Sequence, residues 1–305
     1  SSVVGNFDDA QAGVKMLFAD EALAETLAER GYFLSSANSI NWGRVLPQIV
    51  YYASAYCDLL KAGAINKGEP INVCVPTGNF GNILAAYYAK EMGIPINKLI
   101  CASNQNNVLT DFIKTGTYDR NRTFYNTISP SMDILISSNL ERMLFELSGR
   151  NDKQVREYMS QLAEYGSYRV DTSIRTKLTR LFGAGSCDDV QSKAMIAKMW
   201  SEHEYLIDPH TAVAFQVLED YRNETGDGTM TITVSTASPF KFCDSVLDAL
   251  GVQQRLDGIE ILDQLSSRTG VPVPMPLARL KNRQRRFSGV VEKSGMRGCV
   301  LDFLK

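Results

Sequence analysis

A short turn rich in glycine and asparagine is the part of this sequence best suited to bind an anion. It reads TGNFGN from Thr77 to Asn82, directly after the apolar run Ile71 to Val75, and apolar side chains at helical spacing follow it. A helix start leaves several N–H groups without partners and carries partial positive charge, and glycine permits positive φ and close approach to a ligand. The pattern predicts a phosphate-binding turn, although a connection that needs glycine only to turn has the same pattern.

The segment SSANSINWGR (Ser35 to Arg44) brings several polar groups together. Asn38, Ser39 and Asn41 supply amides and a hydroxyl, and Arg44 supplies a guanidinium. Arginine makes bidentate contacts with phosphate or carboxylate, so these residues are candidates for binding a small anionic molecule. The alternative is that Arg44 lies at the surface and pairs with a nearby carboxylate.

The segment STASPFKF (Ser235 to Phe242) follows a β-rich run and carries three hydroxyls in a turn. Either Thr236 faces a ligand, or these hydroxyls only satisfy backbone groups of the turn. Upstream, Asp208 and Pro209 are typical of a helix cap and a first helical residue. His210 comes one residue later, where the helix dipole disfavours a positive charge, so we interpret it as structural or at most as a wall of a pocket.

The elements around the first turn predict the fold. A strand over Ile71 to Val75, a helix over Phe80 to Glu91 and a strand over Leu99 to Ala102 form a βαβ unit, which requires parallel pairing and a right-handed crossover. We therefore predict an α/β protein with a doubly wound, mostly parallel sheet and flanking helices. Ligands bind such sheets beyond the carboxyl ends of the strands, where both turns would lie.

Other parts of the chain give weaker expectations. Pro47 is best placed in the first turn of a helix, which predicts a helix start near Leu46. Glycines interrupt the charged, helical stretch after Asn151, and Pro272, Pro274 and Pro276 suggest an extended C-terminal tail. The predicted domains are a remnant of a smaller α/β subdomain at 1–35, a large domain at 36–250 with a peripheral helical insertion near 151–205, and a tail at 251–305.

Composition limits the possible partners. The 305 residues carry a formal net charge of −2, which gives no reason to expect a nucleic-acid partner, and no apolar run approaches the ~20 residues of a membrane span. Six cysteines without CxxC spacing suggest reduced thiols in the cytoplasm. Two histidines are too few for a zinc site or a Ser-His-Asp site to be expected. The sequence does not indicate an oligomeric state.

Four segments of the chain, in the same order, resemble segments of threonine synthase, a pyridoxal-phosphate enzyme of the tryptophan-synthase-like fold type II. These segments are SSANSINWGR, VPTGNFGNILAAYYAK, DPHTAVA and STASPFKF. The resemblance implies a lyase of threonine biosynthesis that converts O-phosphohomoserine and water to threonine and phosphate by γ-elimination and β-addition. It implies that pyridoxal phosphate is held by the N–H groups of Gly78, Asn79, Phe80, Gly81 and Asn82 and by the hydroxyl of Thr236, which would meet the pyridine nitrogen. It also implies that Asn38, Ser39, Asn41 and Arg44 contact the phosphorylated amino acid.

The family also has a Pro-Thr segment followed by Phe-Lys-Asp, whose lysine forms a Schiff base with the cofactor. Lys15, Lys90 and Lys241 do not have that setting. We therefore expect the chain to correspond to the C-terminal part of the enzyme and to be inactive alone. Two alternatives remain: another enzyme of the same fold, such as a serine or threonine dehydratase or a cysteine synthase, and a non-catalytic phosphate-binding fragment. SSANSINWGR argues against the first.

Overall fold

Strands are interspersed among single and consecutive helices in the computed structural model, which describes residues 2–5, 7–35, 38–284 and 287–304, without the side chains of Phe7, Asp8, Gln11 and Ala12. The strands are β1 (Ser2–Val3), β2 (Ile71–Pro76), β3 (Ile96–Ser103), β4 (Thr117–Asp119), β5 (Ser167–Arg169), β6 (Phe182–Ser186), β7 (Thr231–Thr233) and β8 (Val290–Val291). The helices are α1 (Phe7–Ala19), α2 (Glu21–Glu29), α3 (Trp42–Lys61), α4 (Gly81–Glu91), α5 (Val108–Thr115), α6 (Leu140–Leu147), α7 (Asp152–Tyr165), α8 (Thr172–Leu181), α9 (Asp189–His203), α10 (Pro209–Thr225), α11 (Cys243–Ala249), α12 (Ile261–Thr269), α13 (Met275–Ala278) and α14 (Met296–Phe303). Short 3₁₀ turns cover Pro130–Met132, Pro239–Lys241, Arg279–Asn282 and Lys293–Gly295.

The chain divides into two units. The smaller unit combines Ser1–Ala37 with Arg279–Lys305, and in it β1 pairs with β8 in parallel. The larger unit, Asn38–Ala278, contains the main sheet. Among the described residues, every helix is too short or too polar to cross a lipid bilayer.

The main sheet has the strand order β6-β3-β2-β7, and all neighbouring strands are parallel. The central strand β2 is buried along its whole length, as a parallel strand covered on both faces must be. Side chains alternate between the two faces: Val73 and Val75 pack with residues of α3, α4, α5 and α8, whereas Cys74 packs with residues of α10. Helices therefore cover both faces, and the predicted doubly wound α/β fold is confirmed.

The start of α3 differs from the prediction. The helix begins at Trp42 and not near Leu46, because the Asn41 side chain accepts a hydrogen bond of 2.9 Å from the Gly43 N–H and caps it early. Pro47 then lies inside the helix. Its missing N–H leaves the Gly43 carbonyl without a helical donor, but both residues are exposed and water can satisfy that carbonyl.

The interpretation of residues 151–205 as a peripheral helical insertion is wrong where it covers β6, because β6 pairs with β3 in the main sheet. Gly183 and Gly185 lie inside this strand and do not interrupt a helix. A Cβ atom on Gly183 would lie 2.9 Å from the Tyr221 ring, and one on Gly185 would lie 2.8 Å from Val217. The glycines thus let α10 pack closely on the sheet, and they remove the side chains that would have shown a strand pattern.

The tail after residue 250 is not extended as predicted. It contains α12, whose Ile261, Leu262 and Leu265 are buried against α9 and α11. Pro272 and Pro274 separate α12 from α13, so the prolines mark a connection between helices and not a long extended segment.

Gly185 of β6 gives a first prediction. Gly185→Ala should lower the free energy of unfolding by about 1–3 kcal/mol, because the added methyl meets a buried, β-branched side chain that cannot move away. Gly228→Ala is the matched control, since a Cβ there has open space and should change stability by less than about 0.5 kcal/mol. Urea denaturation measures both, and equal stabilities would contradict the close packing of α10 on β6.

Candidate functional site

The turn between β2 and α4 presents a row of backbone donors. Within the described residues, the N–H groups of Gly78, Asn79, Phe80, Gly81 and Asn82 have no hydrogen-bond acceptor. They lie just before and at the start of α4, whose N-cap is Phe80, where the helix dipole favours negative charge. Consecutive free donors at a helix start form a site that can hold a phosphate.

The positive φ of this turn is not at a glycine, contrary to the expectation from the sequence. Phe80 has φ of 62° and ψ of 5°, whereas Gly78 and Gly81 do not have positive φ. The glycines are required for close packing instead. A Cβ on Gly78 would lie 2.5 Å from the Ser131 carbonyl oxygen, and one on Gly81 would lie 2.5 Å from the Ser39 Cβ.

Residues far away in sequence hold the carbonyl groups of the turn. The Ser137 hydroxyl donates to the Gly78 carbonyl at 2.9 Å, and the Asn139 side-chain amide donates to the Asn79 carbonyl at 2.8 Å. Asn139 is fully buried. These bonds fix the carbonyls against the protein and leave the N–H groups available. Ser137 and Asn139 were not identified from the sequence, because they lie in an irregular loop that carries no recognisable motif.

Asn82 is held from α3. The Tyr52 hydroxyl donates to the Asn82 backbone carbonyl at 3.1 Å and also contacts its side-chain oxygen. Burial raises the pKa of Tyr52, which keeps the phenol protonated and able to donate. The Asn82 side chain therefore has a structural partner, and its backbone N–H remains the group that can face a ligand.

The turn after β7 lies at the same edge of the sheet. Val234 donates its N–H to the Cys74 carbonyl of β2 at 2.9 Å, so Ser235 and Thr236 follow a strand that is the parallel neighbour of the one before Thr77. Thr236 is exposed, and its hydroxyl has no partner within the described part of the chain. Ser238, in contrast, satisfies the turn itself by accepting from Phe240.

Only part of the predicted substrate segment is brought to the turn; its Ser36 and Ala37 lie outside the described residues. Ser39 packs on Gly81, and its hydroxyl accepts from Asn139 at 2.8 Å. The side chain of Asn38 accepts from the backbone of Ile40, and that of Asn41 caps α3.

Arg44 is exposed in the first turn of α3. Its guanidinium has no carboxylate partner among the described residues, so it does not form the surface ion pair considered as an alternative. Within the described residues, no hydrogen bond joins the Arg44 side chain to the turn after β2.

The asparagines that follow β3 have structural roles. The Asn104 side chain donates to Asp133 at 2.7 Å, and Asn106 donates to the same carboxylate at 3.0 Å. All three residues are buried, and these side-chain groups are satisfied by one another. This network fixes the irregular loop around Ser129. The same loop continues to Ser137 and Asn139, which hold the turn between β2 and α4.

Three potential nucleophiles within the described residues are Cys101, Lys90 and Lys241. Cys101 is completely buried in β3, and burial raises its pKa to about 12, which leaves the thiol inert at neutral pH. Lys90 donates to the Ile96 carbonyl, and Lys241 is exposed in a 3₁₀ turn. The row of N–H groups from Gly78 to Asn82 is therefore the main chemical feature of this sheet edge, and it is suited to binding a phosphate-bearing molecule.

Comparison with known proteins identifies threonine synthases and threonine synthase-like proteins as relatives of this chain. A family described as "Threonine synthase, C-terminal" matches residues 211–296. "Threonine synthase-like 1" of Homo sapiens is 47% identical over 254 residues, which is 83% of this chain and 34% of that protein. Threonine synthase of Pseudomonas aeruginosa is 39% identical over 245 residues, 80% of this chain and 50% of that protein.

Solved structures agree. Pyridoxal-phosphate-bound threonine synthase from Brucella melitensis superposes with a TM-score of 0.80 at 36% identity, covering 99% of this chain and 58% of that one. Yeast threonine synthase gives 0.81 at 31% identity with the same coverage. The chain thus spans between about a third and somewhat over half of the length of each of these relatives.

Proposed function

We propose that this chain, which is a threonine synthase-like protein by sequence and fold, forms the part of such an enzyme that holds pyridoxal phosphate. The observation that carries the proposal is the row of free N–H groups from Gly78 to Asn82, at the same sheet edge as the free hydroxyl of Thr236. The two kinds of donor suit the two ends of a phosphorylated pyridine ring.

The residues present fit the phosphate end of the cofactor. Five neutral backbone donors and the dipole of α4 compensate a dianion without a cationic side chain. The carbonyls of the same turn are fixed by Ser137 and Asn139, so the donors need no rearrangement before binding.

At the ring end, Thr236 would meet the pyridine nitrogen. A hydroxyl can donate or accept, so it does not force protonation of that nitrogen as a carboxylate partner would. Its lack of any partner within the described residues leaves it available for this contact.

The proposed reaction is the conversion of O-phosphohomoserine and water to threonine and phosphate, a carbon–oxygen lyase reaction. Pyridoxal phosphate, when bound, supplies the electron sink for the carbanions that this chemistry requires. Ser39 lies against the phosphate-binding turn and the Arg44 guanidinium has no ion-pair partner within the described residues, so these two residues are the ones we propose to contact the substrate. Protons must be moved by a basic group, and Lys15, Lys90 and Lys241 do not have the Phe-Lys-Asp setting that the resemblance implies for the cofactor lysine.

Binding of pyridoxine 5′-phosphate to the 305-residue chain tests the proposal. This compound has the ring and the phosphate of the cofactor but no aldehyde, so it cannot react with surface lysines. We expect saturable binding by calorimetry, competition by inorganic phosphate, and binding of unphosphorylated pyridoxine that is at least about tenfold weaker.

Gly78→Ala is the test variant, and Gly228→Ala is its matched control. The first adds a methyl 2.5 Å from the Ser131 carbonyl and should displace the turn and weaken binding, while the second adds one in open space. Equal affinity for pyridoxine and its phosphate, or no competition by inorganic phosphate, would contradict a phosphate site at this turn.

A further inference from the structure

A buried carboxylate lies behind the two turns of the proposed site. Asp208 is fully buried at the start of α10 and accepts hydrogen bonds on both oxygens. One oxygen accepts from the backbone N–H and the ring Nδ1 of His210, each at 2.9 Å, and the other accepts from the Thr211 hydroxyl. The backbone bond caps α10, and the two side-chain bonds satisfy the rest of this buried carboxylate and tie it to His210 and Thr211.

The His210 arm reaches the phosphate-binding turn. His210 Nε2 accepts a hydrogen bond of 3.3 Å from the Ser131 backbone N–H, which assigns the ring proton to Nδ1, where it is donated to Asp208. Ser131 is the residue whose carbonyl packs on Gly78. The ring of His210 is buried and packs on Phe242 with centroids 4.9 Å apart, so its position is fixed.

The Thr211 arm reaches the other turn. The hydroxyls of Thr211 and Ser235 are 3.2 Å apart. Thr211 has a single hydroxyl proton, which it donates to the Asp208 carboxylate and shares with the Ser235 oxygen. Ser235 directly precedes Thr236, so the same carboxylate orients the start of the turn that carries the proposed ring contact.

We infer that Asp208 is a positioning residue that fixes both ends of the proposed cofactor site, the phosphate-binding turn through His210 and Ser131, and the Thr236 turn through Thr211 and Ser235. The inference rests on the proposed function for its meaning, but the two arms are properties of the folded chain. They can be separated, because each arm leaves the carboxylate through a different side chain.

Two pairs of variants separate the arms. His210→Asn can keep a donor near Nδ1 but has no atom at the Nε2 position, whereas His210→Gln can place a carbonyl oxygen near Nε2. Thr211→Val keeps the shape of threonine but removes its hydroxyl, and Thr211→Ser retains the hydroxyl.

Amide hydrogen exchange of the ligand-free chain is the first measurement. His210→Asn should accelerate exchange at the Ser131 N–H by about tenfold and leave Val234 and Phe240 unchanged, because one stabilising hydrogen bond is lost locally. Thr211→Val should accelerate exchange at the Val234 and Phe240 N–H groups and leave exchange at the Ser131 N–H unchanged. His210→Gln and Thr211→Ser should stay near the wild type. Equal acceleration at both turns in either variant, or none in both, would overturn the inference.

Ligand binding is the second measurement. His210→Asn should weaken binding of inorganic phosphate by about fivefold or more, whereas Thr211→Val should leave it unchanged and shift the absorption of bound pyridoxine 5′-phosphate instead. Loss of both signals together in both variants would show a general structural role and overturn the inference. If the wild-type chain binds no phosphate, the proposed function fails, and the exchange pattern still decides whether His210 and Thr211 each fix one of the two turns.

Discussion

Phe80→Ala should destabilise the chain by about 3–5 kcal/mol, and Phe80→Gly should be about 1 kcal/mol less destabilising than the alanine variant. The first effect arises because the Phe80 ring is buried in the core, 5.7 Å from the ring of Phe182. The second arises because residue 80 has positive φ, a conformation that costs alanine free energy and glycine none. Urea denaturation of the two variants measures the difference.

Ile83 provides the control for this comparison. It is equally buried but lies within the first turn of α4, where the backbone is helical, so Ile83→Gly should be less stable than Ile83→Ala. The order of glycine and alanine should therefore reverse between positions 80 and 83. Glycine no better than alanine at position 80 would show that the buried ring does not hold the turn in a strained conformation.

Thr236→Val should weaken binding of pyridoxine 5′-phosphate by about 1–3 kcal/mol, which is between about fivefold and 150-fold. Valine has the shape of threonine but cannot form a hydrogen bond with the ring nitrogen. The side chain is exposed and has no partner within the described residues, so the substitution should leave the stability of the chain nearly unchanged.

Thr236→Ser is the matched control, since it keeps the hydroxyl and should bind nearly as well as the wild type. Calorimetric titration gives the affinities, and the absorption of the bound ring gives a second readout that reports on its nitrogen. Equal affinities and equal spectra for the valine and threonine proteins would show that this hydroxyl does not contact the ring.

The sequence predicted those features that depend on local pattern. The apolar runs Ile71 to Val75 and Leu99 to Ala102, with the helical pattern from Phe80 to Glu91 between them, predicted the βαβ unit, and Asp208 with Pro209 predicted the start of α10. The β6 strand was missed because Gly183 and Gly185 carry no side chains to show periodicity. The early start of α3 was missed because the Asn41 cap competed with the preference of proline for a first turn.

The site was predicted less completely than the fold. Glycine spacing located the turn, but the positive φ lies at Phe80, where a buried ring and tertiary packing override the backbone preference of the residue. Ser131 and Asn139 support the turn from a loop about 50 to 60 residues away, and no local pattern reports a contact of that sequence separation. His210 was interpreted as structural, and only its bond to Ser131 suggests a role at the site.

A crystal structure of the chain with pyridoxine 5′-phosphate tests the central claim most directly. The phosphate oxygens should accept hydrogen bonds from the N–H groups of Gly78 to Asn82, and the ring nitrogen should face the hydroxyl of Thr236. A phosphate bound elsewhere on the chain, or N–H groups of this turn directed at protein acceptors with the ligand present, would contradict it.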